Sequence, residues 1–417
     1  MDKLQIIGGA KLNGTVAASG AKNAALPLMF ATLLAEGEHV FHNVPFLKDI
    51  ESACELLESL GCKCTHENHT LRIRVEKPKT FEAHYDLVRK MRASILCLGP
   101  LVAKYGQARV SLPGGCAIGT RPIDLHLFAM TALGTEITLD SGYVNAKTKK
   151  LQGQRIIFEN VTVGGTENAL MAATLAEGKT TIENAAQEPE IVDLAEYLIK
   201  MGAKIKGAGT RVIEVEGVKS LKPTEHIVLP DRIEAGTLLI AGAITGGNVT
   251  VQKCRPEHFA ATTEKMREAG FEITSGPDWI SVAARDTWKG VDVTTAPFPG
   301  FATDLQAQFM ALMTIADGPS VITETIFENR YMHVQELVRL SADITLKGQT
   351  AIVKGRPGIL QGAPVMATDL RASACLVLAG LAAKGETVVN RIYHLDRGYE
   401  NLEKKLASLG AKIKRVE

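Results

Sequence analysis

Neither charge is in surplus in this 417-residue chain: 47 Lys+Arg stand against 46 Asp+Glu. A bulk field that would draw nucleic acid or a membrane surface is thereby excluded, and any anion site must come from local clusters. Long apolar runs are missing too. The longest, Ala24–Ala35 and Ala372–Ala383, stop short of the roughly 18 residues that a spanning helix needs. Cysteine is sparse and odd in number, seven residues at 54, 62, 64, 97, 116, 254 and 375. Several lie inside apolar patterns, which fits reduced thiols rather than a disulfide frame. The opening MDKLQIIGGAKLNG has neither a basic segment followed by an apolar one nor a cleavage-like site. No signal peptide is expected, and the protein is expected in the cytoplasm with no membrane and no nucleic-acid partner.

Standard chemical signatures fail as well. The GKT at Gly178–Thr180 has Ala173 where a phosphate loop needs glycine, and it follows a helix and enters a strand, the reverse of the required order. The GAG at Gly207–Gly209 lacks the third glycine of a dinucleotide fingerprint, and neither GxSxG nor HExxH occurs. Cys62, Cys64, His66 and His69 stand at the alternate spacing of a strand leading into a turn. That is a hairpin pattern, so no metal and no organic cofactor are expected.

What is there is a unit used six times. Ala/Leu-rich helical runs end at Gly37, Gly106, Gly178, Gly246, Gly318 and Gly385, with spacings of 69, 72, 68, 72 and 67. A β-type segment follows each glycine, for example HVFHNV, TTIENA and TVVNRIY. A second, amphipathic helix then ends at Gly61, Gly134, Gly202, Gly270 and Gly410, with Ala342 in that place in the fifth unit. Leu402, Leu406 and Leu409 show the helical spacing, as do Ile123, Leu127 and Met130. Alternating segments such as KCTHENHTLRIRV close each unit as a hairpin. The pattern predicts an α/β protein of helix–strand–helix–hairpin repeats, with the first helices buried all round. Pro223 and Pro230 bracket a short strand after the third unit. Two lobes of three repeats each, with a small-molecule cleft between them, are the expected organisation.

Charged residues recur where these helices begin: Lys22 in SGAKNAALP, Arg92 in MRASILCLGP, Asp304 in GFATDLQAQFMAL, Arg371 in ATDLRASACLVL and Arg397 in HLDRGYENLEKKL. Arg330 precedes the fifth unit's second helix in IFENRYMHVQEL. Convergence of Lys22, Arg92, Arg121, Arg330, Arg371 and Arg397 would suit a very anionic substrate, because guanidinium groups grip phosphate and carboxylate in bidentate fashion. The stretch LPGGCAIGTRPIDLH sets Cys116 among Gly114, Gly115 and Gly119 and next to Arg121. Read alone, it leaves two alternatives, an incidental buried thiol or a reactive one.

Together, SGAKNAALP, MRAS, LPGGCAIGTRPIDLH, ENAAQEPEIVDLA, TDLQAQ, IFENRYMHVQEL, ATDLRAS and DRGYENL closely resemble the UDP-N-acetylglucosamine enolpyruvyl transferase family along essentially the whole chain. The resemblance implies two lobes, each an inside-out α/β barrel of three repeats, with the active site in the cleft between them. One lobe would span 21–229 and carry the Cys116 loop; the other would join 1–20 to 230–417. It implies transfer of the enolpyruvyl group of phosphoenolpyruvate to the 3-hydroxyl of UDP-N-acetylglucosamine with release of phosphate, the first committed step of peptidoglycan synthesis.

By the same resemblance, Cys116 protonates the methylene carbon and is the residue alkylated by fosfomycin. Asp304 is the base for the sugar hydroxyl, and Asp369 is a second group for proton handling. Lys22, Arg121 and Arg397 clamp the phosphate and enolpyruvyl groups, with Arg92, Arg330 and Arg371 as further anion contacts. Asn23, Arg121, Pro122, Ile123, Asp124, Leu125, Val161, Thr162, Val163, Gly164, Thr303 and Ile326 form the nucleotide-sugar pocket. Three positions depart from the family pattern: Asn160 replaces a frequent Lys near the diphosphate, Gly165 a frequent Ala, and Ala302 a frequent Pro. A sister family, the 5-enolpyruvylshikimate-3-phosphate synthases, shares the fold but lacks the LPGGC loop. A non-catalytic UDP-sugar-binding paralogue is the third reading.

Overall fold

The six glycines that end the Ala/Leu-rich runs all lie at positive φ: Gly37 at 125°, Gly106 at 72°, Gly178 at 86°, Gly246 at 63°, Gly318 at 105° and Gly385 at 88°. A Cβ is resisted in that region, so glycine lets each run stop and reverse into a strand. The computed structural model describes residues 2–113 and 123–417. Cys116, Arg121 and Pro122 therefore lie outside the described residues.

The first helices are Lys22–Ala31, Leu98–Tyr105 and Val163–Ala173, then Arg232–Ile244, Thr303–Thr314 and Leu370–Ala382. They are core elements, as the all-round apolar pattern predicts. In the last of them every residue from Arg371 to Leu381 is buried. Each fully buried Leu or Val there contributes roughly 1.5–3 kcal/mol of transfer free energy. Outer helices such as Lys48–Ser59, Pro189–Lys200 and Leu402–Ser408 bury one face only.

Among the described residues the strands form six separate four-stranded sheets. In the second repeat, Gln107–Ser111 pairs antiparallel with Tyr143–Lys147, the second strand of the hairpin, and parallel with Glu82–Ala83. A parallel strand precedes every core helix, Asn13–Ala17, Glu82–Ala83, Arg155–Ile157, Glu225–Ile227, Val293–Thr294 and Pro364–Met366, with the first and fourth exchanged: Asn13–Ala17 pairs with Asn248–Gln252 and Glu225–Ile227 with Gly37–His42. Most are two or three residues long, too short to show alternation, so the sequence pattern reveals only the one bracketed by Pro223 and Pro230. The six-repeat α/β architecture matches expectation, while the sheets stay separate rather than joining into a continuous barrel wall.

The chain forms two compact units, each with its own apolar core. One comprises residues 20–113 and 123–229, the other 2–19 and 230–417. In the second unit Lys3–Ile7 runs antiparallel between Glu386–Asn390 and Lys412–Val416, supplying the hairpin strand that the sixth repeat lacks. Asn13–Ala17 lies parallel to Asn248–Gln252. Among the described residues no helix is long and apolar enough to cross a membrane.

One cap differs from expectation. The outer helices end at Gly61, Gly134, Gly202, Gly270 and Gly410, all at positive φ, but in the fifth repeat the left-handed residue is Ser341 at 75°, not Ala342. Ala342 is buried one step further on, and its N–H donates to the Leu337 carbonyl just as the Cys62 N–H donates to Leu57. The glycine that marks this position in the other repeats is absent, which shifted the alignment by one residue. Ser341→Gly is expected to raise stability by about 0.5–1 kcal/mol, the left-handed penalty of a Cβ less the entropy that glycine loses. A shift of the urea midpoint upward checks it.

Candidate active site

In the unit of repeats 1–3, Lys22 is the first residue of its core helix. Its Nζ lies 3.0 Å from the Asp49 carboxylate, with the two side chains only 11% and 5% exposed. Asp49 sits in the first turn of Lys48–Ser59, so the Lys22 charge is held in place by the outer helix of its own repeat. Asn23 beside it is exposed. Arg92, half-buried, begins the 3-10 turn Arg92–Cys97.

Ile123 is buried and Asp124 exposed where the helix Asp124–Ala132 starts, and Leu125 is half-buried. Thr162 caps Val163–Ala173, its Oγ1 accepting from the Gly165 N–H at 3.1 Å. Val161 and Gly164 are half-buried and Val163 is exposed. At Gly165 a Cβ would stand 2.5 Å from Thr162 Cγ2, so the capping rotamer occupies that space.

Two residues that sequence reasoning passed over tie these pieces together. His126, buried, accepts at Nδ1 from Asn168 Nδ2 at 2.9 Å. The same amide donates to the Ile95 carbonyl at 3.1 Å and accepts from the Gly99 N–H at 2.9 Å. A Cβ on Gly164 would lie 2.8 Å from the His126 ring. The turn after Arg92, the helix after Asp124 and the Thr162–Gly164 segment are thus fixed to one another by one imidazole and one amide. His126 ends the LPGGCAIGTRPIDLH stretch, so a signal was present; Asn168 sits mid-helix and gave none.

In the unit of repeats 4–6 the anchor is Asp304, in the first turn of its core helix. Arg330 approaches one carboxylate oxygen at 2.8 Å and Arg371 the other at 2.6 Å. Arg330 and Arg371 are 8% and 5% exposed at the side chain, against 22% for Asp304. Burial works against the Arg371 charge, but Asp304, Tyr399 and Asp231 outweigh it and hold the guanidinium above its ordinary pKa. Arg330 also donates to Thr303 Oγ1 at 2.9 Å, and Thr303 donates to the buried Glu324 at 2.8 Å. The other Glu324 oxygen accepts from Thr295 and from the N–H groups of Ile326 and Phe327. Asp304, Arg330, Arg371, Thr303 and Ile326 therefore belong to one connected polar cluster.

Asp369 reaches that cluster indirectly. It caps the helix Leu370–Ala382, with Oδ1 accepting from the Arg371 and Ala372 N–H groups at 2.8 and 3.0 Å. Nearby His333 is buried and pushed down to about 4, mainly by desolvation, with Arg330 adding to the effect and Asp369 opposing it. It is a neutral imidazole at neutral pH. Arg397 ends the 3-10 turn Ile392–Arg397 and is half-buried. Glu324 and Tyr399 were missed as site residues, although Tyr399 stands inside DRGYENL.

Cys97 is fully buried and pushed up to about 12 by desolvation. Cys54, Cys62, Cys64, Cys97, Cys254 and Cys375 are all free thiols.

A chain of this architecture has solved counterparts. The enolpyruvyl transferase NikO from Streptomyces tendae is similar with a TM-score of 0.89 at 25% identity, covering 100% of this chain and 99% of that one. EPSP synthase from Acinetobacter baumannii shares the fold with a TM-score of 0.77 at 18% identity over the whole of both chains. The fold is that of the enolpyruvyl transferases. The family model described as EPSP synthase (3-phosphoshikimate 1-carboxyvinyltransferase) matches residues 6–406. UDP-N-acetylglucosamine 1-carboxyvinyltransferase of Bdellovibrio bacteriovorus is 67% identical over 412 residues, 99% of this chain and 100% of the relative. Its namesake in Myxococcus xanthus is 57% identical over 418 residues, covering 100% of this chain and 99% of the relative. The chain belongs to the EPSP synthase family and, within it, groups with the UDP-N-acetylglucosamine 1-carboxyvinyltransferases.

Proposed function

We propose that the chain transfers the enolpyruvyl group of phosphoenolpyruvate to the 3-hydroxyl of UDP-N-acetylglucosamine. The observation that carries this reading is identity of 67% across the full length of a relative named for that acceptor. The reaction adds a proton to the methylene carbon and the sugar oxygen to the neighbouring carbon, giving a tetrahedral intermediate. Loss of phosphate, with a proton leaving the methyl carbon, then restores the vinyl group. Such a sequence needs an acid near carbon and a base near oxygen.

In this reading Cys116 is the acid and Asp304 the base. Two guanidinium groups fix both Asp304 oxygens, which favours giving Arg330 and Arg371 the work of aiming the base. Lys22, Arg121 and Arg397, with Arg92, are left to face the phosphate and carboxylate of phosphoenolpyruvate. Fixed charges of this kind stabilise an anionic intermediate because they need no reorganisation at the moment of reaction. Asn23, Ile123–Leu125, Val161–Gly164, Thr303 and Ile326 hold the nucleotide sugar. The reading places the enzyme in the cytoplasm at the entry to peptidoglycan synthesis, and makes Cys116 the target of fosfomycin.

Phosphate release from phosphoenolpyruvate tests it, measured with UDP-N-acetylglucosamine and separately with shikimate 3-phosphate. Release only with the nucleotide sugar is expected. Release only with shikimate 3-phosphate would transfer the chain to the sister activity, and release with neither would leave a binding protein.

A further inference from the structure

We propose that Tyr399 is a positioning residue for the Asp304 carboxylate, acting through Arg371. The proposal rests on the reading of Asp304 as the base. Tyr399 is 2% exposed. Its hydroxyl meets three groups: Thr237 Oγ1 at 2.9 Å, Gln308 Nε2 at 3.1 Å and an Arg371 terminal nitrogen at 3.2 Å.

Counting protons fixes the direction of each bond. Thr237 has one hydroxyl proton, and it is given to the Ile233 carbonyl at 2.8 Å. Tyr399 must therefore donate to Thr237, which leaves its lone pairs for Arg371 and for Gln308, whose two amide protons are shared among the Asp304 carbonyl, Thr237 Oγ1 at 3.1 Å and Tyr399. With its proton committed and burial holding its pKa up, Tyr399 is no acid for the substrate. It is an acceptor for Arg371 and for the shared Gln308 amide.

Both donors also hold Asp304. The other terminal nitrogen of Arg371 lies 2.6 Å from the carboxylate, and Gln308 Nε2 donates to the Asp304 backbone carbonyl at 2.9 Å. One hydroxyl thus pins the side chain and the main chain of the same residue. The guanidinium carbon stands 5.6 Å from the Tyr399 ring centroid, so ring and hydroxyl together limit how Arg371 can turn. A Phe in this position keeps the ring and releases the Arg371 terminal nitrogen, while Gln308 keeps Thr237 and the Asp304 carbonyl as acceptors.

Catalytic geometry is sensitive on this scale, a misplacement of about 1 Å costing up to roughly 10²-fold in rate. Tyr399→Phe is expected to lower kcat by about ten- to a hundred-fold while both KM values stay within about two-fold. In an Arg371→Lys background the same substitution should cost less than about two-fold, because residues acting through one another are non-additive. Steady-state phosphate release with both substrates varied is the measurement. An unchanged kcat, a KM rise with kcat kept, or full additivity with Arg371→Lys would each overturn the proposal. Should Tyr399→Phe not fold, Thr237→Val removes the acceptor of the tyrosine proton, and a wild-type kcat there overturns it equally. Asp304→Asn separates the two levels: turnover retained in that variant sinks the assignment of the base, whereas an inactive Asp304→Asn beside a wild-type Tyr399→Phe sinks the positioning role alone.

Discussion

Replacing Asp304 by Ala is expected to abolish turnover and to destabilise the unit of repeats 4–6 by about 3 kcal/mol. The second effect follows from what remains. Arg330 and Arg371 are 8% and 5% exposed and converge on one carboxylate, at 2.8 and 2.6 Å. Without it two guanidinium charges face each other with little water to screen them, and removing one partner of such a buried set costs roughly 3–5 kcal/mol. The lower end applies because Asp304 itself is 22% exposed, so some solvent can enter. Asp304→Asn keeps the shape and one acceptor oxygen, and should lose turnover with a smaller loss of stability. Urea unfolding and phosphate release on the two variants separate folding from chemistry. An Asn variant with turnover within about ten-fold of wild type would show that the hydroxyl proton goes elsewhere.

The cluster around Asp304 also shows where sequence reading succeeded and where it stopped. Asp304, Arg330 and Arg371 lie 26 and 41 positions apart along the chain. Each announced itself as a charge at the entry to a helix, Asp304 and Arg371 at core helices and Arg330 before an outer one, where a solvated residue has no reason to recur. That Arg330 and Arg371 point at Asp304 was not legible, because charge periodicity gives a helix face but not the partner on another helix. Glu324 gave no signal, since a buried carboxylate bonded to a hydroxyl and two N–H groups leaves no one-dimensional pattern.

The fold was more legible than the site because it repeats. Six glycines at near-equal spacing mark six helix ends, and all six adopt the backbone that only glycine tolerates easily. Legibility ends where that marker is replaced, at Ser341, and where elements are too short to carry a period, as at Glu82–Ala83 and Val293–Thr294. The insertion of Lys3–Ile7 into the sixth sheet was equally invisible to pattern. Pairing between the first and last strands of a chain depends on closure of the whole unit, which no local window contains.

Raising the pH from about 5 to 8 is expected to weaken the unit of repeats 1–3 through Glu167, in the core helix Val163–Ala173. Glu167 is 4% exposed, with its pKa pushed up to about 8 by desolvation first and then by Glu190 and Glu188. In the unfolded chain the group titrates near 4.5. The folded state therefore binds more protons than the unfolded state between these values. The contribution is fully present below about pH 4.5 and is lost as pH rises through about 8. Each pH unit in that window is worth about 1.4 kcal/mol at most, so the loss between pH 5 and 8 is of order 2–4 kcal/mol. Glu167→Gln removes the titrating proton while keeping the shape. Its stability relative to wild type should rise by that amount across the window, as read from urea midpoints at pH 5 and pH 8. A difference that stays constant with pH would mean that Glu167 is ionised in the folded protein. The consequence reaches the site, because this helix begins at the Thr162 cap and carries Asn168, the amide that fixes His126. A carboxylate forced open in its middle would loosen the Thr162–Gly164 segment assigned to the nucleotide sugar. The Gln variant should therefore also hold KM for UDP-N-acetylglucosamine flatter above pH 8 than wild type does.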